Sequence, residues 1–311
     1  MQSNTVVPTL TTIEELYKTY KPTLFAIAYR MLGSKTDAED MVQDLFMNMH
    51  GVVNDNIQNY KSYLSKMMVN RCVNELTSAR KKRITYVGNW LPEPDVQPIG
   101  QCPLECVERQ DTVSYAFLIL MEKLTPLERA VFILREVFAY EHREIAEMFN
   151  KTEVNCRKIY SRVKKKVDAS NIKDEILSSH LHEEKEMVSR FIAALSNGNV
   201  QSLVNLLTED ITFIADGGGK VSAAINLISS KERVLTILNA LSSKQLPGSE
   251  LHLVEVNQQP GIMITNDGYC TGVICFDWDV NTMAIQRVYL VVNPDKLQHV
   301  NTGFITSASE C

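Results

Sequence analysis

Two short helices separated by a tight turn are predicted for residues 141–167. The first helix breaks near Asn150, which tolerates the left-handed backbone that a sharp turn needs. Thr152 then offers a hydroxyl cap to the second helix. The apolar stripe of the second helix, which must face the first, is Cys156, Ile159 or Tyr160, Val163 and Val167. This spacing is typical of a helix-turn-helix, which can hold its second helix against DNA.

The outward face of the second helix is basic. Six of the ten residues from Arg157 to Lys166 are Lys or Arg, and none is acidic. Such a face can neutralise phosphates, while Arg and Asn side chains can contact base edges. A solvated basic helix is the alternative, but turn, cap and charge occur together here, which favours DNA binding. The outward residues are Asn155, Arg157, Lys158, Ser161, Arg162 and Lys165.

Length and charge predict several domains of unlike character. The 311 residues suffice for two or three domains, and 45% hydrophobic with 22% charged residues is typical of globular proteins. The net charge is -5, and acidic residues outnumber basic ones by 16 to 9 over residues 171–311. We therefore expect nucleic acid to bind the N-terminal part and not the acidic C-terminal part.

The cysteines predict neither a metal site nor a disulfide framework. Seven cysteines occur without Cys-x-x-Cys spacing, and the closest pair, Cys102 and Cys106, has no nearby histidine. No signal peptide or long apolar segment is evident. We expect reduced thiols in a cytoplasmic protein, with no cofactor.

Two helices are predicted before the first polar loop. The first spans 13–32 and ends at Gly33, and Thr36 to Glu39 forms a capping box for the second. The polar side of the second helix, with Asp40, Gln43 and Asp44, is either solvated or a docking face for a basic partner.

An Asn-rich loop, 51–59, precedes a third helix predicted over 60–83. Lys66, Asn70 and Arg71 lie on its outer side. A polar loop beside a basic helix suits single-stranded nucleic acid, whose bases can enter pockets while its backbone follows the charges.

Residues 84–104 contain four prolines and are predicted to be a linker without regular structure. Trp90 and Leu91 are unusual in a flexible tether, so we expect them to pack against another surface. The following segment is long enough for four helices. In it Thr125 and Glu128 form a capping box, with Pro126 at the first helical position.

The pattern changes after Asp168. Helices are predicted at 172–196, 199–208 and near 230–242, and strands at 251–257, 261–266, 269–277 and 283–292. A curved sheet covered by helices, an α+β domain, is the simplest arrangement, with its pocket inside the curve.

Residues 1–170 resemble a sigma-70 family factor of the extracytoplasmic-function class, through AYRMLGSKTDAEDMVQDLF at 28–46 and LTPLERAVFILREVFAYEHREIAEMF at 124–149. The remainder resembles the subgroup with a SnoaL-like domain of the nuclear-transport-factor-2-like superfamily. Three strings typical of that subgroup occur unaltered: WLPEP at 90–94, DGGGK at 216–220 and NPDKL at 293–297.

The resemblance implies two all-α domains followed by an α+β, cone-shaped domain with a curved, mostly antiparallel sheet. Its boundaries here are 10–83 for the first helical domain, 84–104 for the linker, 105–170 for the second helical domain and 171–311 for the C-terminal domain. It also implies core RNA polymerase and promoter DNA as partners, and no membrane.

Site residues follow from the resemblance, position by position. Asp40, Gln43 and Asp44 fall where sigma factors dock on core polymerase. Asn54, Asn56 and Asn59 fall in the loop that captures a flipped base of the minus-ten element, and Lys66, Asn70 and Arg71 lie on the next helix. Arg157, Lys158, Ser161 and Arg162 fall on the helix that reads the minus-thirty-five element. This sequence has Asn150 where the turn usually holds Gly.

The C-terminal domain is expected to regulate through protein contacts and not as an enzyme. Superfamily enzymes use a buried Asp or His as general base, for which Asp216 is the candidate placed by a motif, and an unknown small ligand in the pocket is a further option. We hypothesise that the linker packs against this domain. The residues concerned are Trp90, Leu91, Pro92, Asp216, Gly217, Gly218, Gly219, Lys220, Asn293, Pro294, Asp295, Lys296 and Leu297.

Two other functions remain open on the residues alone. One is a helix-turn-helix repressor or activator, which would not require Asp40, Gln43 and Asp44. The other is a SnoaL-like enzyme or ligand sensor fused to a DNA-binding regulator.

Overall fold

The computed structural model describes residues 13–49, 57, 59–83, 86–99, 113–168, 181–241, 248–279 and 281–300. Cys102 and Cys106 lie outside these residues. Within the described ranges, no helix is long and apolar enough to cross a membrane, and no group of His, Cys, Asp and Glu side chains could hold a metal ion.

Three helices form the first helical domain: α1 (Ile13–Leu32), α2 (Lys35–Met47) and α3 (Tyr60–Arg83). The predicted bounds of α1 and α3 are confirmed. Gly33 ends α1 in the left-handed conformation (φ 66°), which glycine adopts without steric cost.

The capping box predicted at Thr36 to Glu39 is wrong. α2 begins at Lys35, and the Ser34 hydroxyl accepts the Asp37 N–H at 3.0 Å. The carboxylate of Glu93, in the linker, accepts the N–H groups of Lys35 (2.7 Å) and Thr36 (3.0 Å). Glu93, which is distant in sequence, therefore accepts backbone N–H groups at the start of α2, where the prediction had placed only a capping box between Thr36 and Glu39.

Four helices form the second helical domain: α4 (Tyr115–Glu122), α5 (Pro126–Glu136), α6 (His142–Met148) and α7 (Glu153–Asp168). The capping box of Thr125 and Glu128 is confirmed. Asn150 has φ 52°, which confirms the left-handed turn between α6 and α7.

The two helical domains share one hydrophobic core. α5 packs against both α1 and α3. Arg129 of α5 donates to the carbonyl of Met31, Tyr140 donates to Ser65 Oγ at 2.8 Å, and the Arg30 guanidinium lies 5.6 Å from the centre of the Phe138 ring. The helical domains are therefore closed against each other.

The C-terminal domain is α+β, as predicted. Its strands β2 to β6 and the linker strand β1 (Val96–Gln97) form one sheet in the order β1-β3-β4-β5-β6-β2, antiparallel except for β2 with β6. The pairing register is irregular between β2 and β6, between β4 and β5, and between β5 and β6, with the extra residues in β2, β5 and β6. The elements are α8 (Leu181–Ser196), α9 (Val200–Leu206), β2 (Leu207–Asp216), α10 (Lys231–Ala240), β3 (Ser249–Val256), β4 (Gln259–Asn266), β5 (Tyr269–Trp278), β6 (Ile285–Val291) and α11 (Pro294–Leu297).

Both faces of this sheet are buried. One face packs against α8 and α10, and its Phe191, Phe276 and Trp278 rings contact one another on the side where the pocket was expected. The other face packs against Leu91 and Val96 of the linker and Tyr115 of α4. Burial on both faces explains why the central residues of β4, Ile262 to Ile264, and of β5, Val273 to Phe276, are apolar without alternation.

The prediction that the linker has no regular structure is wrong for two residues. Val96 and Gln97 form β1, which pairs with Val256 and Glu255 of β3. The strand fits between Pro94 and Pro98 because it is short and lies at the sheet edge, where a proline costs no ladder hydrogen bond.

Candidate nucleic-acid interface and interdomain junction

α7 is held by its apolar side and presents its basic side to solvent. The Thr152 hydroxyl accepts the Asn155 N–H at 3.3 Å, as predicted for a cap. The buried residues are Cys156, Ile159, Val163 and Val167, which confirms the predicted stripe.

The outward residues of α7 lie together on one surface. A shallow depression of about 440 Å³ is lined by Val154, Arg157, Lys158, Ser161, Arg162 and Lys165, and Asn155 is exposed beside it. Exposed donors along one helix side could contact a phosphate backbone and the base edges of a groove.

Two arginines of this face form ion pairs. Arg157 contacts Glu153 at 2.6 Å, and Arg162 contacts Glu128 at 3.1 Å. Burial alone would raise the pKa of Glu128, but the Thr125 hydrogen bonds and the charges of Lys166 and Arg162 outweigh it and lower the pKa. Glu128 is therefore an anion that steadies Arg162 while leaving its side chain 63% exposed.

Asp40, Gln43 and Asp44 form an exposed face of α2, opposite the buried Val42 and Leu45. The geometry places these three side chains on one solvent-facing surface, as a docking face requires. The core lies behind them, so their substitution leaves the packing of α2 intact.

The residues predicted to capture a flipped base are only partly described. Asn54 and Asn56 lie outside the described residues. The Asn59 side chain accepts the Ser62 N–H at 3.0 Å, so it caps α3. Lys66 is exposed, and Asn70 and Arg71 are half-buried along the same helix.

Asp216 is the centre of the contact between the linker and the C-terminal domain. Its carboxylate is fully buried and accepts four hydrogen bonds: from the Tyr86 hydroxyl (2.6 Å), the Leu91 N–H (2.8 Å), the Gly218 N–H (2.9 Å) and Lys296 Nζ (2.7 Å). Four donors occupy all the lone-pair sites of an ionised carboxylate.

Lys296 completes this contact. Its ammonium lies 4.0 Å from the centre of the Trp90 ring and 5.4 Å from that of Tyr86, and it also donates to the Leu91 carbonyl. Ring faces attract a desolvated cation, which offsets its burial. We call Tyr86, Trp90, Leu91, Asp216, Asn293 and Lys296 the junction.

The loops of the DGGGK and NPDKL strings contact each other and the linker at the junction. The Asn293 side chain donates to the Tyr86 hydroxyl at 3.0 Å, and its Oδ1 accepts the Asp295 N–H at 3.1 Å, which caps α11 before Pro294. Gly218 has φ 61°, and a Cβ there would overlap the Asn293 side chain. Near them, Lys220 and Asp295 form an exposed ion pair at 2.7 Å.

Gly219, Pro92 and Leu297 also pack at this contact. A Cβ on Gly219 would lie 3.1 Å from Val87 of the linker, whereas one on Gly217 would overlap the Val221 carbonyl oxygen of its own loop. Pro92 is buried, and its carbonyl accepts the Tyr115 hydroxyl at 2.7 Å. Leu297 is buried among the linker-facing residues of the sheet.

Sequence reasoning missed four polar residues that join the domains. The Tyr29 hydroxyl donates to the Glu93 carbonyl at 2.7 Å and accepts from Asn257 Nδ2 at 2.8 Å. The Tyr86 hydroxyl lies within the junction, where burial and the hydrogen bond to Asp216 raise its pKa, so it remains a donor. Glu93 belongs to the WLPEP string, which was the available signal for it.

Two family models match the sequence: Sigma-70 region 2 over residues 16–82, and Sigma-70, region 4 over residues 116–167. The ECF RNA polymerase sigma factor SigJ of Mycobacterium tuberculosis is 29% identical over 294 residues, covering 88% of this chain and 89% of SigJ. The crystal structure of M. tuberculosis SigJ is similar with a TM-score of 0.71 and 25% identity, covering 92% of this chain and 98% of that one.

Proposed function

We propose that this chain is an extracytoplasmic-function sigma factor of the sigma-70 family, in the subgroup with a fused SnoaL-like domain. As an RNA polymerase sigma factor it directs promoter-specific initiation of transcription. In our proposal Asp40, Gln43 and Asp44 dock on core polymerase in the cytoplasm. The Asn-rich loop and α3 contact the minus-ten element, and α7 reads the minus-thirty-five element.

The exposed basic side of α7 carries this proposal. Its donors project from a helix whose other side is fixed in the core of a helix-turn-helix. This is the arrangement by which such helices enter a major groove.

The C-terminal domain modulates activity through the linker, in our proposal. Glu93 binds the start of α2, Pro92 contacts Tyr115 of the second helical domain, and Leu91 binds Asp216. One short segment therefore contacts all three domains. A change at the junction would alter the geometry of both promoter-binding domains.

We propose a structural role, not a catalytic one, for Asp216. A general base needs a lone pair available to the substrate, whereas Asp216 already accepts four hydrogen bonds, one of them from the Lys296 ammonium. These contacts support a regulatory domain over the alternative of a SnoaL-like enzyme.

Transcription with purified core polymerase tests the function. The chain is expected to let core enzyme start specific transcripts from its promoter, whereas a helix-turn-helix repressor or a fused enzyme would not. Removal of residues 171–311 is expected to change that transcription while leaving recognition of an isolated minus-thirty-five element largely intact.

Substitution of both Asp40 and Asp44 by alanine is expected to impair capture by core polymerase without unfolding the protein. Both side chains are exposed, so their removal leaves no cavity. A pull-down with core enzyme, alongside a melting curve, measures both properties. Glu75→Ala with Glu186→Ala, two exposed carboxylates on other helices, is the charge-matched control. Equal capture of both double variants would contradict the docking face.

Arg162→Ala is expected to weaken promoter binding by roughly 1–3 kcal/mol. Lys165→Ala is expected mainly to reduce, by about one unit, the slope of the logarithm of the binding constant against the logarithm of the salt concentration. The Arg162 guanidinium can donate two parallel hydrogen bonds to a base edge, whereas the exposed ammonium of Lys165 is suited to contact a phosphate. Binding titrations at several salt concentrations separate the two effects. If both variants bound like the unaltered protein, α7 would not be the DNA reader.

A further inference from the structure

A cleft of 410 Å³ lies where the first helical domain, the linker and the C-terminal domain meet. α1 forms one wall, Asp95 and Gln97 belong to the linker, and the turn at Asn257 and Gln258 forms the opposite wall. Its size fits a small organic molecule, and domain interfaces are preferred places for such sites. It is distinct from the interior of the curved sheet, which Phe191, Phe276 and Trp278 occupy.

The α1 wall is aromatic with a cation at one end. Lys21, Phe25 and Tyr29 are spaced four residues apart and therefore share one side of the helix. The Phe25 and Tyr29 rings are stacked, with centres 5.9 Å apart and planes 13° apart. Phe25 is half-buried and Lys21 is exposed, so a flat apolar molecule could lie against the rings with an anionic group at the ammonium.

The opposite wall is a strained turn. Asn257 and Gln258 connect β3 to β4 with φ values of 50° and 65°. This two-residue turn prefers Gly at its second position, and strain of this kind is often found at ligand sites. The Asn257 side chain binds Tyr29 and the Asp95 N–H, whereas the half-buried Gln258 lines the cleft.

Charged side chains of both signs line the cleft, with one more cation than carboxylates. Three cations and two carboxylates line it: Lys21, Arg30, Lys35, Glu39 and Asp95. Lys35 binds Asp95 at 2.7 Å, and Arg30 is buried over Phe138. Lys21 is exposed at one end of the cleft, with its ammonium 5.2 Å from the centre of the Tyr17 ring, and Glu39 is exposed on α2.

We propose that this cleft binds a small planar aromatic carboxylate. Its ring lies on Phe25 and Tyr29, its carboxylate accepts from Lys21, and Gln258 contacts its far edge. Such a ligand touches α1 and the β3–β4 turn together and holds the C-terminal domain against the first helical domain. Only this regulatory consequence rests on the proposed function, because binding itself requires no polymerase.

Titration of the full chain with 2-naphthoate, followed by saturation-transfer NMR, tests the site. We expect saturable binding below about 1 mM, and binding at least about tenfold weaker for the neutral isostere 2-naphthalenemethanol, which cannot form a charge-assisted hydrogen bond. Lys21→Gln should weaken 2-naphthoate binding about tenfold. Lys18→Gln, one turn earlier and equally on the surface, should leave it unchanged.

Gln258→Gly supplies a variant that folds at least as well, because glycine relieves the strained turn. It should weaken 2-naphthoate binding with an unchanged or higher melting temperature. The proposal is overturned if 2-naphthoate does not saturate, if the neutral isostere binds equally, or if Lys21→Gln and Gln258→Gly bind like the unaltered chain. None of these results bears on specific transcription with core polymerase, which tests the function separately.

Discussion

Replacing Lys296 with methionine is expected to destabilise the junction by about 3–5 kcal/mol, the usual cost of leaving one member of a buried ion pair unpaired. Asp216 is fully buried, and Lys296 is 6% exposed. Methionine keeps much of the length of the side chain but removes the ammonium that binds Asp216, the Leu91 carbonyl and the Trp90 ring. The linker therefore loses its strongest attachment to the C-terminal domain.

Trp90 fluorescence during urea unfolding reports this loss, with Trp278→Phe in every protein so that one tryptophan remains. Lys220→Met is the matched control, because Lys220 pairs with Asp295 at 2.7 Å but is 56% exposed, and exposed pairs contribute about 0–1 kcal/mol. Equal effects of Lys296→Met and Lys220→Met would refute the role of the buried pair.

The double variant Lys296→Met with Asp216→Asn separates the pair from its surroundings. Removing both charges leaves no unpaired ion, so the double variant is expected to lose less stability than the sum of the single variants. A Trp90 emission that already looks fully solvated in the intact protein would contradict the packing of the linker.

Features set by neighbouring residues could be predicted from the sequence. The stripe from Cys156 to Val167, the cap at Thr152 and the left-handed Asn150 depend on contacts within one or two helical turns. Helical spacing reports these contacts directly. The bounds of α1 and α3 follow for the same reason.

Features set by distant residues could not be predicted in the same way. Thr36 and Glu39 fit a local capping pattern, but Glu93 supplies an acceptor from 58 residues away along the chain and shifts the cap to Ser34. The Leu91 N–H and Asp216 are 125 residues apart. Periodicity carries no information on such pairs, so the resemblance marked their loops but not their hydrogen bonds.

The largest expected change in shape is the separation of the two helical domains on a promoter. In the free protein α5 packs against α1 and α3, and packed helices lie about 8–10 Å apart. Elements centred at minus ten and minus thirty-five are about 25 base pairs apart, which is about 85 Å along B-DNA at 3.4 Å per pair. Domains that share one core cannot reach both elements at once.

Fluorescence energy transfer between Asn48 and Lys151 measures this opening. Both residues are exposed, one at the end of α2 and the other in the turn before α7. Dyes attached there through azide-bearing unnatural amino acids leave the native cysteines unmodified. Transfer is expected to be high in the free protein and nearly lost in the complex with core polymerase and promoter DNA.

A dye pair at Lys123 and Lys151, within the second helical domain, is the control and should keep its transfer efficiency in the complex. Removal of residues 171–311, or Lys296→Met alone, should lower the Asn48 to Lys151 transfer in the free protein, because the linker no longer ties α2 to the C-terminal domain. A transcribing complex that retained the high transfer of the free protein would show that the domains need not separate. Since the core around Arg129 and Tyr140 joins the helical domains directly, full opening should still require polymerase or promoter DNA.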